Sequence, residues 1–149
     1  FNSFASIAQI SPFLPLIGGG KTKFAPIYVG DVAKSIAKVL ELKNSEPKIF
    51  ELGGPKNYSF KELMEILLIE IKKKRLLINI SFNFAKFNSY FLQMMPNPLL
   101  TPDQVELLKY NNIVTGKYST LKDLSIAGTT IQNILPKYIY RFRTGGQFG

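Results

Sequence analysis

The chain has 149 residues, the length of one ordinary domain, and 46% of them are hydrophobic, enough to fill a core. It contains no cysteine and no histidine, which excludes a disulfide scaffold, a thiolate zinc site, a thiol nucleophile, and an imidazole base or ligand. A formal charge of +9 favours an anionic partner, although the excess of Lys, Ile, Asn and Phe is also what an AT-rich genome produces.

In chain order, Asn2 to Ile10 reads as a helix stopped by the Ser11-Pro12 step. Leu14 to Ile17 is a short extended piece, Gly18-Gly19-Gly20 a turn, and Phe24 to Val29 a strand. Gly18 to Thr22 shares residue types with a phosphate-binding loop. The six-residue window ending at Gly20 begins with Pro15, however, and a strand rather than a helix is expected after it, so the turn is the reading. Asp31 reads as the N-cap of the next helix, in which Val32, Ile36, Val39 and Leu40 recur at helical spacing. Lys34, Lys38 and Lys43 fall largely on its other faces.

Ile49 to Leu52 is a short strand, ended by a tight turn at Gly53-Gly54-Pro55. Ser59-Phe60-Lys61-Glu62 is a capping box, and Phe60, Leu63, Met64, Leu67 and Ile71 line one face of a helix running to about Lys72. Strand, glycine turn and capped helix give the rhythm of an α/β protein. The basic run Lys72-Lys73-Lys74-Arg75 sits where positive charge complements the negative pole of that helix. Leu76 to Ile80 is a strand, and Phe82 to Met95 an amphipathic helix with Phe84, Phe87, Phe91, Met94 and Met95 in one sector. Asn83, Lys86, Ser89 and Gln93 gather opposite. The aromatic sector has two readings: core of its lobe, or, together with the basic run, a surface for an anionic membrane or a hydrophobic partner. Aromatics on a helix rather than interleaved with basic residues on a strand argue against nucleic acid.

Pro96 and Pro98 end that helix. Thr101-Pro102-Asp103 opens another, carrying Val105, Leu107 and Leu108, which Asn111-Asn112 breaks. Thr120 caps a short turn through Leu124, and Thr129-Thr130 opens a last helix, kinked or split at Pro136. No apolar run reaches the roughly 20 residues needed to span a bilayer, and no signal-peptide pattern is present. Phe1 is an uncommon first residue, so the sequence is expected to begin inside a longer reading frame.

Three stretches together resemble the extended and atypical short-chain dehydrogenase/reductase superfamily. They are Phe24-Ala25-Pro26-Ile27-Tyr28-Val29-Gly30-Asp31-Val32-Ala33; Ile49 to Pro55 followed by Tyr58 to Leu63; and Leu99-Leu100-Thr101-Pro102-Asp103-Gln104-Val105 with the terminal Leu135 to Tyr138 and Tyr140 to Arg143. The last is similar to the atypical branch that includes the NAD(P)-binding accessory subunit of respiratory complex I and its bacterial relatives. The resemblance implies an α/β fold: the C-terminal part of a Rossmann-type protein, with Ile49 to Leu52 as a late sheet strand. Residues 1–75 would form the sheet-edge portion and 76–149 the mostly helical substrate lobe of one incomplete domain.

The same resemblance implies NAD(P) in the intact parent and no cofactor or turnover for this chain alone. There is no G-x-G-x-x-G turn and no Y-x-x-x-K pair. Implied partners are the N-terminal Rossmann half or respiratory-complex subunits. The implied location is the bacterial cytoplasm at the inner membrane, or the matrix side in a mitochondrion. The alternative is the substrate lobe of an active reductase or epimerase. Epimerases of this superfamily carry a phosphate-contacting arginine seven residues before Asp31, where this chain has Phe24 beside Lys23, so a sugar-nucleotide substrate is not expected. Candidate pocket residues are Lys23, Tyr28, Asp31, Gly53 and Gly54. Candidate surface-interaction residues are Lys72, Lys73, Lys74, Arg75 and Phe87.

Overall fold

The computed structural model describes residues 1–42, 48–92, 94 and 100–143. Lys43, Gln93, Met95, Pro96, Pro98, Leu99 and the side chain of Phe91, all invoked above, lie outside the described residues. Six helices and six strands are described: α1 (Asn2–Ile10), β1 (Phe13–Ile17), β2 (Lys23–Phe24), α2 (Val29–Leu40), β3 (Phe50–Glu51), β4 (Tyr58–Ser59), α3 (Phe60–Glu70), β5 (Leu76–Ile80), α4 (Phe82–Leu92), α5 (Pro102–Leu107), β6 (Ser119–Thr120) and α6 (Ile131–Ile139). The strands form three two-stranded ladders: β1 with β5 in parallel, β2 with β4 antiparallel, and β3 with β6 in parallel. Two of these pairings join the first 75 residues to the remainder.

The central helix is α3. Its capping box forms as the sequence predicts: the Ser59 hydroxyl accepts the Glu62 N–H, and the Glu62 carboxylate accepts the Ser59 N–H at 2.6 Å. Phe60, Leu63, Met64, Leu67 and Ile71, the predicted face, are all buried. Ala5 and Ala8 of α1, Leu14 and Leu16 of β1, and Leu135 and Ile139 of α6 belong to the same core cluster. A second, smaller cluster joins Ile17, Ala85 of α4 and Val105 of α5.

The end of α3 is a Schellman motif. Lys73 N–H donates to Leu68 O and Lys72 N–H to Ile69 O, with Lys72 in the left-handed region at φ +56°. Arg75 turns back, and its Nε donates to Ala8 O, 2.8 Å away in the last turn of α1. Three consecutive left-handed glycines, Gly18, Gly19 and Gly20 (φ +61°, +70° and +67°), link β1 to β2. Side chains pay roughly 1–2 kcal/mol each for that conformation, which is why a triple glycine stands here.

Three expectations are corrected. The predicted strand over Phe24 to Val29 is regular only at Lys23–Phe24, and Val29 already opens α2. Pro26 has no N–H to donate, and beyond Phe24 the Ala25 N–H goes to Asn112 O while the Ala25 carbonyl accepts from Gly54 N–H. Asp31 is not an N-cap: Tyr28 occupies that position and Asp31 lies inside the first turn. The reading of the α4 aromatic sector as core also fails. Phe84 and Phe87 are 61% and 63% exposed, while Ala85 and Ser89 turn inward. Lys86 reaches Glu106 of α5 at 3.3 Å, so two small side chains let α4 and α5 approach closely.

Candidate functional site

Two concavities are candidates. The larger, about 590 Å³, lies between α1, α3 and α5. Phe4, Phe24, Phe60, Met64 and Leu107 provide an apolar wall; Gln104, Asn111 and Asn112 add neutral polar groups at its rim. Phe60 orders the aromatic side, with ring centroids 5.3 Å from Phe4 and 6.4 Å from Phe24 in edge-to-face geometry. Mostly apolar walls with a few polar groups are what small-molecule pockets share. Among the described residues the lining holds no carboxylate, lysine or arginine side chain, so it suits an uncharged or weakly polar occupant.

Phe24, at the position of the superfamily's phosphate-contacting arginine, is part of this wall. Lys23 beside it is exposed, and its N–H donates to the Asn111 side chain at 2.9 Å. Lys23 is not among the residues that line either concavity.

The smaller recess, about 300 Å³, is lined by Tyr28, Ile27, Thr129, Ile131 and Tyr138, among others. Tyr28 is half-buried there, and burial pushes the Tyr138 hydroxyl above its ordinary value. Beside this recess, Asp31 is fully covered. Its carboxylate accepts the Thr129 N–H at 2.6 Å and faces Lys34 Nζ at 3.3 Å. Burial alone would raise its pKa, but the Thr129 N–H and hydroxyl, with Lys34, hold it below the ordinary aspartate value. Thr129 immediately precedes Thr130, the N-cap of α6, which forms no side-chain cap bond of its own. Asp31 therefore places one negative charge at two positive helix ends, in the first turn of α2 and beside the start of α6.

Gly53 and Gly54 line neither concavity. They let two chain segments touch. A Cβ on Gly54 would lie 1.9 Å from Pro26 O, and one on Gly53 2.4 Å from a Val114 methyl. Of the five predicted pocket residues, the structure brings Tyr28 and Asp31 together around Thr129, and leaves Lys23, Gly53 and Gly54 on the scaffold behind them. Sequence reading missed Thr129 as Asp31's partner, since 98 residues separate them. Asn111 and Asn112 were legible only as a helix break, yet they tether Lys23 and Ala25 and border the large cleft.

The described residues do not fit a dinucleotide's pyrophosphate. Such a group needs open backbone donors at a helix N-terminus after a glycine turn. The triple-glycine turn leads into β2, and a Cβ on Gly20 would meet the Lys61 backbone at 3.0 Å. The starts of α3, α4, α5 and α6 already face the side-chain acceptors Ser59, Ser81, Thr101 and Asp31. No group of three or more His, Cys, Asp or Glu able to hold a metal occurs among the described residues.

No model of a known protein family matches the chain. Individual relatives do. It is 33% identical to the mitochondrial NADH dehydrogenase (ubiquinone) 1 alpha subcomplex subunit 9 of Arabidopsis thaliana, matched over 97% of this chain and 39% of that one. The mitochondrial NADH-ubiquinone oxidoreductase 40 kDa subunit of Neurospora crassa matches at 28% identity, over 87% of this chain and 35% of its own length. The chain's homologues are accessory subunits of complex I. The Dictyostelium discoideum subunit 9 agrees, at 27% identity over 99% of this chain and 42% of its own. The chain thus spans about two fifths of the length of these relatives.

Among solved structures, a triphenylmethane reductase of a Citrobacter species superposes with a TM-score of 0.68 at 20% identity, covering 93% of this chain and 47% of that one. The fold is therefore a mixed α/β fold that resembles the fold of this reductase over part of its length, in keeping with the α/β fold expected from the sequence.

Proposed function

We propose that this chain is a non-catalytic, C-terminal portion of an NAD(P)-binding, short-chain dehydrogenase/reductase-like protein that works as an accessory component of NADH:ubiquinone oxidoreductase. The reading rests on the complex I homologues and, physically, on one helix. α2 buries Asp31 and Ser35, half-buries Val32 and Val39, and exposes Val29 (74%), Ile36 (56%) and Leu40 (80%). An exposed apolar stripe of this kind calls for a further covering layer. Relatives more than twice the length of this chain have the sequence to supply one, and the intact parent holds NAD(P). Its partners are other complex subunits, and its location in a eukaryote is the mitochondrion, as the names of the relatives state for them.

Light scattering, with and without the remaining portion supplied in trans, tests this. The expected result is self-association of the chain alone and a monodisperse complex on addition. A strictly monomeric, cooperatively melting chain that ignores the added portion refutes it. Titration with NADH and NADPH is expected to show no micromolar binding by the chain alone.

One observation favours a second reading, the substrate lobe of an active reductase. The large cleft has the size and apolar lining of a substrate pocket. Turnover of an uncharged aromatic substrate by the reassembled protein, lost on Phe60→Ala, would establish that reading over the accessory one.

A further inference from the structure

The parallel β1–β5 sheet has one face in the core and one partly in water. Leu14 and Leu16 are buried and Leu77 packs with them on the inner side. The register pairs Phe13 with Leu76, Pro15 with Ile78 and Ile17 with Ile80, and alternation places these six on the outer side. Ile17 and Ile80 belong to the second core cluster, whereas Phe13, Leu76 and Ile78 are exposed by 45%, 66% and 43%. Ile10, 91% exposed, ends α1 three residues before Phe13, and Leu76 N–H donates to Pro12 O, which draws these segments together.

The lysine run leads directly into this open end. Lys72 and Lys74 are exposed, and none of Lys72, Lys73 or Lys74 forms an ion pair among the described residues. Glu70, the nearest carboxylate in sequence, is engaged by Arg143 and leaves the lysine charge uncompensated. Arg75 is committed to Ala8 O and serves the fold.

We propose that the open end of the β1–β5 sheet, comprising Ile10, Phe13, Leu76 and Ile78 beside Lys72, Lys73 and Lys74, is a docking surface for an anionic phospholipid membrane. Apolar side chains flanked by unpaired lysines match the two layers of such an interface: acyl boundary for the first, headgroup phosphate for the second. Charge complementarity selects lipid over an apolar protein patch, which would leave the lysines without partners. The site differs from a pairing of the basic run with the α4 aromatic sector, because the strand that follows the lysines carries the apolar part itself. It stands independently of any complex I role.

Sedimentation of the whole chain with vesicles of phosphatidylcholine alone, and with one-third phosphatidylglycerol, tests the surface. Binding is expected only with the anionic lipid, and to weaken as salt rises. Lys72→Gln with Lys74→Gln should weaken partitioning about 25-fold, from about fivefold for each surface lysine. Ile10→Ser and Leu76→Ser should each weaken it about tenfold or more through lost apolar transfer, with thermal melts near that of the parent because both side chains are exposed. Leu40→Ser, on the α2 stripe, should bind normally. Equal binding to neutral vesicles, salt-independent binding, or equal losses from Leu40→Ser and Leu76→Ser would overturn the proposal. So would unchanged binding by Ile10→Ser, whose helix-end position makes unfolding no explanation.

Discussion

Removing the Asp31 carboxylate should show that this residue, in the Phe24 to Ala33 stretch, is a structural clamp. In Asp31→Ala the Thr129 N–H loses its acceptor and the start of α6 loses its compensating anion. Hydrogen bonds to charged groups contribute about 1.5–3 kcal/mol, and an unsatisfied buried donor costs about as much. Lys34 adds little, since its side chain is 66% exposed. A loss of about 2–3 kcal/mol is therefore expected, or a fall in Tm of roughly 4–12 °C for a chain of this size. Asp31→Asn retains an oxygen acceptor and should lose about half as much. The carboxyl is held below its ordinary value of 3.8, so its contribution is fully present above pH 3.8 and disappears as pH falls through the lower folded value. The gap in Tm between the parent and Asp31→Asn should accordingly be constant near neutrality and shrink below pH 3.8. Melts followed by circular dichroism across that range are the assay. An Asp31→Ala protein within about a degree of the parent, or a gap that widens on acidification, refutes the reasoning.

Gly54→Ala should prevent soluble expression or lower Tm steeply, because the added Cβ would lie 1.9 Å from the Pro26 carbonyl oxygen and only backbone movement relieves it. Ser59→Ala should cost ~1 kcal/mol by opening the α3 capping box, read as a lower urea midpoint at an unchanged slope. Lys72→Gly should raise stability by roughly 0.5–1 kcal/mol, since φ +56° at the Schellman position favours glycine, while removing one lysine of the proposed lipid surface. Stability and vesicle binding would then move in opposite directions in one variant.

The elements that sequence reading placed well are those specified by local chemistry. The two capping boxes, at Ser59–Glu62 and Thr101–Gln104, contain both partners within four residues. β5 has the predicted bounds because a lysine run and Ser81 bracket a short apolar stretch. Pro136 fits within one continuous α6 rather than splitting it. The failures are non-local. Asp31 reads as an N-cap of α2 because its acceptor role toward Thr129 spans 98 residues. The Ala25 to Tyr28 segment reads as a continuation of the strand, but the backbone partners of Ala25, Asn112 and Gly54, lie far along the chain.

The two surface helices show why periodicity locates a helix without fixing which side turns inward. In α4 the large aromatics formed the more hydrophobic sector, yet close approach to α5 selects the small side chains Ala85 and Ser89, and the larger rings Phe84 and Phe87 remain outside. In α2 the hydrogen bond from Thr129 draws Asp31 inward, and Ser35 follows one turn later, its hydroxyl donating to Asp31 O at 2.7 Å. The apolar residues Val29, Ile36 and Leu40 are thereby turned out. The two helices differ in kind. For α4, steric fit within the chain is sufficient cause. For α2, the buried charge is satisfied internally, while the exposed apolar stripe has no compensating arrangement among the described residues. That asymmetry is why the α2 stripe carries the inference of a covering layer and the α4 aromatics do not.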